Sequence, residues 1–336
     1  MLSTAIEKEP EWLITDYIPK GQITCMAGDG GTGKTTIWCA IAAAVSSGKE
    51  CFMVQNMIPP EWHDGQGRKV MFFSSEDSYE YTLKRRLRKN GANLDNIVTL
   101  PISDKRFRYI KFNNDYLKKL LEDHKPDLCI FDPIQGFVPE NIKMGDRNAM
   151  RSVMTPLIGF GEELGTTFLI AMHTNKQSGV WGRKRMADSS DVWDVSRSVL
   201  MVGETESKGI HYLSHEKSNL AIQGKTILYR INDEVIEFVG YTDKKDRDFI
   251  KESDFNAKKS PARDEAKEFI LEFLEDGEKP VAELDETAKA MSISANALKN
   301  AKFELKADGK IKTWGLGYGA NKKWLISLKD TSKTNE

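Results

Sequence analysis

The sequence predicts an α/β fold with a mostly parallel sheet and helices on both faces, and three observations support this prediction. Strand-like apolar runs alternate with helical patterns up to about residue 240. The runs at 128–132 and 167–172 are apolar almost throughout, which is typical of parallel strands that are buried on both faces. A glycine-rich loop separates the strand predicted at 22–27 from the helix predicted at 34–47. Alternation of this kind is typical of helix-covered parallel sheets.

The other elements of this first domain follow in order along the chain. A strand is expected at 69–74, a basic helix at 79–89, and helices at 115–124 and 147–164. Later strand-like runs, which we expect to be antiparallel, lie at 198–202, 209–215, 225–231 and 235–239. Together these elements predict one large domain over residues 1–240.

The composition changes after residue 240. The segment 241–260 is rich in Lys and Asp and has little periodic apolar content, so we expect a linker. Three helical patterns follow, the third with Ser294 as its N-cap, and then two short strands joined by the glycine-rich GLGYGAN. This outline predicts a small winged-helix-like domain over 261–330, with a tail at 331–336.

The overall composition is that of an ordinary soluble protein. The 336 residues are 40% hydrophobic and carry a net charge of −1, so any attraction to nucleic acid must come from local patches. The four cysteines show no metal-ligand spacing and are interpreted as reduced, buried residues. No apolar stretch approaches ~18 residues and no signal core is present, so we expect a cytoplasmic protein without membrane contact.

The segment 28–35, GDGGTGKT, has the phosphate-loop spacing G-x-x-x-x-G-K-[ST]. Its glycines allow successive backbone N–H groups to turn toward a phosphate. Lys34 is expected to reach the β- and γ-phosphates, and the Thr35 hydroxyl is expected to bind Mg²⁺. We therefore predict an ATP and Mg²⁺ site whose nucleotide contacts are Gly28, Asp29, Gly30, Gly31, Thr32, Gly33, Lys34, Thr35 and Thr36.

Two acidic residues follow predicted strands. Asp132 ends the apolar run LCIF, where an aspartate can hold the water shell of the metal. Glu76 follows the run FFSS, where a carboxylate can orient and deprotonate the attacking water. The alternatives are a turn-capping aspartate and a surface glutamate that caps the next helix. The upstream phosphate loop favours the metal role of Asp132.

The order of these motifs resembles that of the RecA-like ATPases, most closely the plasmid RepA-type hexameric replicative helicases and their relatives on phages and mobile elements. The resemblance covers roughly residues 11–240. The matching segments are EWLITDYIPKGQITCMAGDGGTGKTT, FFSSEDSYEYTLKRRL, DLCIFDPIQGFV, FLIAMHTNK, DVSRSVLMV and HEKSN. The resemblance implies a RecA-like domain, a hexameric ring, a DNA-stimulated ATPase motor of the helicase type, and Glu76 as the catalytic base.

The same resemblance implies roles for three further residues. His173, in the motif HTNK, corresponds to a γ-phosphate sensor, although relatives often have a second histidine where Thr174 stands. Arg197 and Lys217 correspond to an arginine finger and its lysine companion, which act on the nucleotide of a neighbouring subunit. Each of the three could instead be structural. If the roles hold, the active protein is a homo-oligomer, because no single subunit has a complete site.

The polar segment 176–193 is the first candidate for a DNA contact. It contains glycines and is interpreted as a mobile loop, and in RecA-like rings the corresponding loop faces the central channel. The resemblance therefore implies contacts to single-stranded DNA. A solvated loop without a partner is the alternative. The expected cationic contacts are Lys176, Arg183, Lys184 and Arg185.

The C-terminal domain is divided by charge. Its first part, 261–293, carries ten acidic and four basic residues, whereas 294–329 carries eight lysines and two acidic residues. The basic part contains the third helix and the hairpin, the surface that a winged helix offers to duplex DNA. Lys299 and Lys302 are the expected contacts near the start of the recognition helix. A protein–protein module is the alternative.

The leading functional prediction is DNA-dependent ATP hydrolysis by an oligomeric motor, a helicase or helicase-like replication or recombination factor of a mobile element or phage. The alternative is a nucleotide-switched winged-helix DNA-binding regulator without unwinding activity. A partition-type ATPase is less favoured, because the phosphate loop has no lysine before Lys34. A small-molecule kinase would leave Glu76 and Arg197 unexplained.

Overall fold

The computed structural model describes residues 7, 9–55, 66–175, 179–258, 261–317 and 323–329. The chain divides into two compact units, Met1–Ser253 and Asp254–Glu336, which are considered separately. Lys176 and the predicted tail at 331–336 lie outside the described residues. Within the described ranges, no helix has both the length and the apolar character needed to cross a membrane.

The first unit contains most of the strands of the described chain. They are β1 (Trp12–Ile14), β2 (Ile18–Pro19), β3 (Ile23–Gly28), β4 (Val70–Ser74), β5 (Ile97–Thr99), β6 (Leu128–Asp132), β7 (Thr167–His173), β8 (Ser198–Glu204), β9 (His211–Ser218), β10 (Thr226–Asn232) and β11 (Val235–Thr242). β1 and β2 form a small hairpin. The described strands β3 to β11 form one nine-stranded sheet in the order β11-β10-β9-β8-β3-β7-β6-β4-β5.

The helices of the first unit cover this sheet. They are α1 (Lys34–Ser47), α2 (Lys84–Lys89), α3 (Asp115–His124), α4 (Arg147–Leu164), α5 (Ser190–Val195) and α6 (Asp246–Lys258). Short helical turns of other types lie at Phe52–Val54, Tyr79–Leu83 and Gly182–Ser189, among others. α6 begins in the first unit and runs past its boundary at Ser253.

The sheet is parallel from β8 through β3, β7, β6 and β4 to β5, which confirms the predicted α/β class. The two faces of the sheet have separate apolar cores, because alternate side chains of a strand point to opposite faces. In β6, Ile130 packs in the core that includes Ile37 and Trp38 of α1, whereas Phe131 packs in the core that includes Leu117 of α3. Both faces are therefore buried, as the apolar strand sequences predict.

The expectation that all later strands are antiparallel is wrong for β8. β8 pairs with β3 in parallel, with Thr24 opposite Ser198 and Gly28 opposite Val202. β9, β10 and β11 are antiparallel as expected. A strand pattern alone does not carry its direction, which depends on the long connection that precedes it.

Two segments predicted to be irregular are helical. The predicted linker contains the end of β11 and α6, and the predicted loop 176–193 contains the turn Gly182–Ser189 and α5. α6 is held by tertiary contacts: the ring of Phe249 stacks on Tyr212, 4.1 Å away, and the Asp246 carboxylate accepts a hydrogen bond from the Gly182 N–H. Such contacts with residues distant in the sequence override the weak local pattern.

The described part of the second unit has three helices and a three-stranded antiparallel sheet. The helices are α7 (Pro261–Phe273), α8 (Val281–Ala290) and α9 (Ala295–Ala307), and the strands are β12 (Lys279–Pro280), β13 (Ile311–Leu316) and β14 (Lys323–Leu328), in the order β12-β14-β13. Ser294 caps α9 as predicted, because its side chain accepts a hydrogen bond from the Ala297 N–H. The core includes Ile270, Leu298 and Ile326.

Candidate active site

Side chains from four neighbouring parallel strands meet at one edge of the sheet. Lys34 follows the loop after β3, and His173 ends the adjacent strand β7. Asp132 ends β6, the next strand, and Glu76 lies just after β4. The carboxyl ends of parallel strands share an edge, which is where ligands bind in open α/β sheets. The sequence-predicted loop, metal, sensor and base residues are thus brought together.

Two glycines of the phosphate loop are required by the geometry. A β-carbon on Gly28 would lie 2.7 Å from the Val202 carbonyl oxygen of β8. Gly33, which precedes α1, has φ of 88°, a left-handed conformation that other residues rarely adopt. The loop therefore leads directly into the amino end of α1, where backbone N–H groups and the helix dipole favour a phosphate.

Lys34 is folded back over the phosphate loop. Its Nζ donates hydrogen bonds to the carbonyl oxygens of Gly28, at 2.9 Å, and Asp29, at 2.7 Å, and lies 3.4 Å from Nδ1 of His173. Burial lowers the pKa of Lys34, and nearby carboxylates, Asp132 first among them, oppose this shift. The ammonium group is therefore beside the loop and next to the proposed sensor.

Asp132 and Thr35 form the candidate metal site. The Thr35 hydroxyl donates to Oδ2 of Asp132 at 3.0 Å, and Nε1 of Trp38 donates to the same oxygen at 2.7 Å. Burial raises the pKa of Asp132, and these two hydrogen bonds oppose it. A hydroxyl and a carboxylate side by side suit Mg²⁺, which prefers oxygen ligands. Trp38 is a site residue that the sequence reasoning missed, since it is one of many apolar positions of α1.

The described residues contain no group of three or more His, Cys, Asp or Glu side chains that could hold a metal ion. A nucleotide-bound Mg²⁺ is usually held by one or two protein oxygens together with phosphates and water. Thr35 and Asp132 therefore fit the ion only if a nucleotide supplies further ligands.

Glu76 lies at the open side of the site. Its side chain is 62% exposed, and its Oε1 is 3.7 Å from Nε2 of His173. The carboxylate can therefore reach a water molecule from solvent and can interact with the histidine. This arrangement is compatible with both predicted roles, a base at Glu76 and a γ-phosphate sensor at His173.

Asp29 of the phosphate loop makes side-chain contacts that the sequence reasoning did not anticipate. Its carboxylate accepts a hydrogen bond from the Thr174 hydroxyl and lies 3.1 Å from Nη2 of Arg185. Arg185 also pairs with Asp246 at 2.5 Å, and the two side chains are 4% and 0% exposed. The prediction that Arg185 contacts DNA is therefore corrected: its guanidinium is enclosed between two carboxylates. The motif HTNK indicated that Thr174 lies near the site, whereas no sequence pattern indicated a role for Asp246.

Arg197 and Lys217 lie together, at the edge of the sheet opposite Lys34. Arg197 immediately precedes β8, and Lys217 pairs with Val199 near the start of the same strand. Arg197 is exposed. Burial lowers the pKa of Lys217, whose Nζ donates to three carbonyl oxygens at 2.7 to 3.1 Å. The acceptors at the end of α5 are Trp193, Asp194 and Ser196.

The other expected DNA contacts are exposed or ion-paired. Arg183 pairs with Asp194 at 2.5 Å, and Lys184 is exposed. In the second unit, Lys299 is exposed on α9, and Lys302 pairs with Asp285 at 2.7 Å.

Comparison with known proteins gives a matching family model, one curated protein of similar sequence and two solved structures with some similarity. The AAA domain family model matches residues 3–179. The DNA repair protein RadA of Aquifex aeolicus (strain VF5) is 25% identical over 167 residues, or 49% of this chain, and the chain covers only 31% of that protein's length. The KaiC-like protein PH0186 from Pyrococcus horikoshii OT3 has 17% identity and a TM-score of 0.46, covering 66% of this chain and 91% of its own. The RadB recombinase has 15% identity and a TM-score of 0.45, covering 67% of this chain and 93% of its own.

Proposed function

We propose that this chain, which belongs to the AAA domain family, is an oligomeric, DNA-stimulated ATPase with a RecA-like first unit. One observation carries the proposal: Lys34, His173, Asp132 and Glu76 end or follow four adjacent parallel strands at one edge of the sheet. A nucleotide-binding switch needs the phosphate loop and the metal ligand, whereas an exposed carboxylate beside them favours hydrolysis.

Each residue at this edge of the sheet has a separate proposed role in hydrolysis. The loop N–H groups and Lys34 bind the phosphates, and Lys34 exchanges its present carbonyl acceptors for phosphate oxygens. Thr35 and Asp132 would hold Mg²⁺, which would neutralise charge on the phosphates. Glu76 orients the attacking water and takes its proton. His173 lies between Lys34 and Glu76, at 3.4 and 3.7 Å, and senses whether the γ-phosphate is present.

Arg197 acts on the nucleotide of a neighbouring subunit. In β8, Val202 is level with Gly28, and Arg197 is five residues earlier. At ~3.3 Å per residue, about 16 Å separate Arg197 from the level of the phosphate loop in its own subunit. This separation exceeds the reach of an arginine side chain, so a catalytic Arg197 must act in trans. Lys217 secures the segment beside it by binding the carbonyl oxygens that end α5.

DNA is the proposed stimulus. The curated relative is a DNA repair protein, and Arg183 and Lys184 are exposed cations on the segment that corresponds to a channel loop in RecA-like rings. Lys176, which lies outside the described residues, is a further proposed contact from the sequence. DNA backbone phosphates would replace the Asp194 carboxylate as the partner of Arg183. This replacement costs little, because an exposed ion pair contributes little to stability. We propose that the subunits form a ring, most simply a hexamer, and that single-stranded DNA passes through its channel. We further propose that the protein is a helicase or helicase-like factor of a mobile element or phage.

The second unit is proposed to be a winged helix that binds duplex DNA through α9. Three helices, a three-stranded sheet and an exposed Lys299 on α9 support this assignment. The same features favour a second candidate function, a nucleotide-switched DNA-binding regulator without unwinding activity. Separation of a forked DNA substrate by the purified protein with ATP would exclude the regulator, and ATP-dependent footprints on duplex DNA without strand separation would favour it.

The central experiment measures the rate of ATP hydrolysis with and without single-stranded DNA. The mass of the assembled protein is measured alongside, in the presence of Mg²⁺ and a nonhydrolysable ATP analogue. We expect DNA to raise the rate in the wild type, a negligible rate in Lys34→Ala, and an assembled species with the analogue. A rate that is indifferent to DNA, or a monomer in every nucleotide state, would contradict the proposal.

A further inference from the structure

Two apolar features of the first unit are exposed and take no part in the nucleotide site. One is the loop 219–225 between β9 and β10, in which Ile222 is 92% exposed. The other is a pocket of about 230 Å³ beside β4, lined by Leu100, Pro101 and Ile102 among others. We propose that in the oligomer Ile222 of one subunit inserts into this pocket of the next. This inference rests on the proposed shared active site and names the contact that aligns its two halves.

The loop presents Ile222 on a backbone that is held on both sides. Before Ile222, the Ala221 N–H donates to Oγ of Ser218 at 3.2 Å. After it, the Gly224 N–H donates to Nδ1 of His215 at 2.9 Å. A β-carbon on Gly224 would come within 2.8 Å of the Tyr17 ring, so the loop packs closely at this point. An apolar side chain on an ordered loop loses little conformational entropy when it docks.

The pocket has an apolar interior and an open side. Phe72 and Leu83 contribute buried side chains, whereas Tyr81 and Ile102 are 79% and 59% exposed. The wall formed by 99–103 follows β5, the last strand of the described sheet, so the pocket lies on the outer side of β4. It is therefore separate from the phosphate loop and accessible to another subunit.

The loop and the pocket each adjoin one half of the proposed shared site. The Asn219 N–H donates to the carbonyl oxygen of Arg197 at 3.0 Å, so the loop starts beside the proposed finger. Asp77, which lines the pocket, is the residue after Glu76. A subunit that directs Arg197 to its neighbour's nucleotide therefore brings its own Ile222 toward the pocket beside its neighbour's Glu76.

Exposed cations lie beside the loop and exposed acids lie beside the pocket, among other charges of both signs. Arg197 and Lys225 are exposed on the loop side, whereas Glu76 and Glu80 are exposed beside or within the pocket lining. Pairing of these cations with these acids would help to orient the contact. The two surfaces belong to one chain and differ from each other, so the contact is head-to-tail. Repeated head-to-tail contacts produce a closed ring or a filament, and we therefore assign the occupant of the pocket to a second copy of this chain.

Cross-linking between single-cysteine variants tests the contact. Ile222→Cys and Ile102→Cys proteins of different tag length are mixed with Mg²⁺ and a nonhydrolysable ATP analogue and treated with a short bismaleimide. The native cysteines are all buried, so they compete little for the reagent. We expect a mixed dimer of the two variants at a yield at least about tenfold above the control pair Ile222→Cys with Val239→Cys, whose second position is exposed on β11. A yield equal to the control overturns the inference.

Ile222→Asp, with Ile222→Ser as the milder change, gives an independent measurement. We expect the concentration for half-assembly to rise about tenfold or more, because one buried isoleucine side chain is lost from the interface. ATP binding in the dissociated subunit should stay unchanged. If the wild type assembles and responds to DNA but both variants assemble equally well, this inference is overturned and the proposed function stands. If the wild type neither assembles nor responds to DNA, both are overturned.

Discussion

The guanidinium of Arg185 lies 3.1 Å from the carboxylate of Asp29 and so ties the phosphate loop to a buried ion pair. The second partner of Arg185, Asp246, begins α6 and also accepts hydrogen bonds from the Tyr212 hydroxyl and the Gly182 N–H. A nucleotide that changes the position of Asp29 therefore acts on Arg185 and, through it, on the start of α6. The same buried charges make Arg185 a strong determinant of stability.

Arg185→Met should lower the free energy of unfolding of the first unit by about 3–5 kcal/mol, because it leaves the buried Asp246 carboxylate without its counter-charge. The substitution should also weaken ATP binding, since Asp29 loses a partner. Urea unfolding and nucleotide titration measure the two effects. Arg183→Met, which removes a more exposed ion pair, should cost no more than about 1 kcal/mol. An equal loss of unfolding free energy in the two variants would show that the buried ion pair of Arg185 contributes no more to stability than the exposed pair of Arg183.

His215 should make the stability of the first unit depend on pH. The ring is buried, with Nδ1 accepting from the Gly224 N–H and Nε2 lying 3.1 Å from Oγ of Ser198. Burial, helped by the nearby Lys245 ammonium, lowers the pKa of His215 from 6.5 to about 4. The unfolded chain therefore binds the proton first as the pH falls, and stability that is complete above pH 6.5 is lost toward pH 4.

Between pH 7.5 and pH 5 this loss should amount to about 2 kcal/mol of unfolding free energy. His215→Asn, whose side-chain oxygen can still accept from Gly224, provides the control: it should be less stable at neutral pH but should lose about 2 kcal/mol less over the same interval. Urea unfolding at both pH values measures the difference. Parallel pH profiles for the two proteins would exclude His215 as the titrating group.

Glu76→Gln should bind ATP normally and hydrolyse it at least about a hundredfold more slowly, the range lost with a general base. The amide keeps the size of the side chain and its exposure, so the fold should be unaffected. Equilibrium binding of a fluorescent nucleotide and the steady-state rate separate the two effects. Glu162→Gln, a change at an exposed acidic residue of α4, should retain the wild-type rate. Retained turnover in Glu76→Gln would remove Glu76 from the role of base.

The parts of the site that the sequence predicted are those encoded locally. The glycine spacing of 28–35 and the apolar runs that end at Asp132 and His173 are written in consecutive residues, and parallel pairing then brings their ends together. The strand pattern alone was enough for this edge, because in a parallel sheet all carboxyl ends lie on one side.

The parts that the sequence did not predict depend on contacts between distant residues. Arg185 and Asp246 are 61 positions apart, and each looked like one charge among many in a polar segment. Lys217 was interpreted through the family resemblance as a companion of the arginine finger. Its three carbonyl acceptors near α5 indicate that it also holds that segment in place, which no local pattern could reveal.

Lys299→Ala should weaken binding of duplex DNA by the full-length protein to a similar degree for unrelated sequences, if the second unit contacts the phosphate backbone through α9. The slope of log affinity against log salt should fall by about 1, the value for one lost phosphate contact. Fluorescence anisotropy over a range of salt concentrations measures both. Lys289→Ala, on α8, is the matched control and should leave the slope unchanged. Sequence-dependent losses would instead place Lys299 at a base edge.

Mixing two inactive variants should restore ATP hydrolysis if Arg197 acts in trans. Arg197→Ala removes the proposed finger, for which a rate loss of about 10³ or more is expected, and Lys34→Ala removes nucleotide binding by the same subunit. In a mixed oligomer, an intact phosphate loop on an Arg197→Ala subunit can meet an intact Arg197 on a Lys34→Ala neighbour. The rate should therefore rise to a maximum near equal proportions of the two proteins.

The control for this experiment is a mixture of Lys34→Ala with Glu76→Gln. Lys34 and Glu76 belong to the same edge of one subunit, at the ends of β3 and β4, so each variant lacks an essential part of its own site. No neighbour can supply either part, and no activity should return at any proportion. The Arg197→Ala mixture could also stay inactive although both variants assemble with wild-type subunits. In that case Arg197 does not complete the site of its neighbour, and its position at the opposite edge of the sheet needs another explanation.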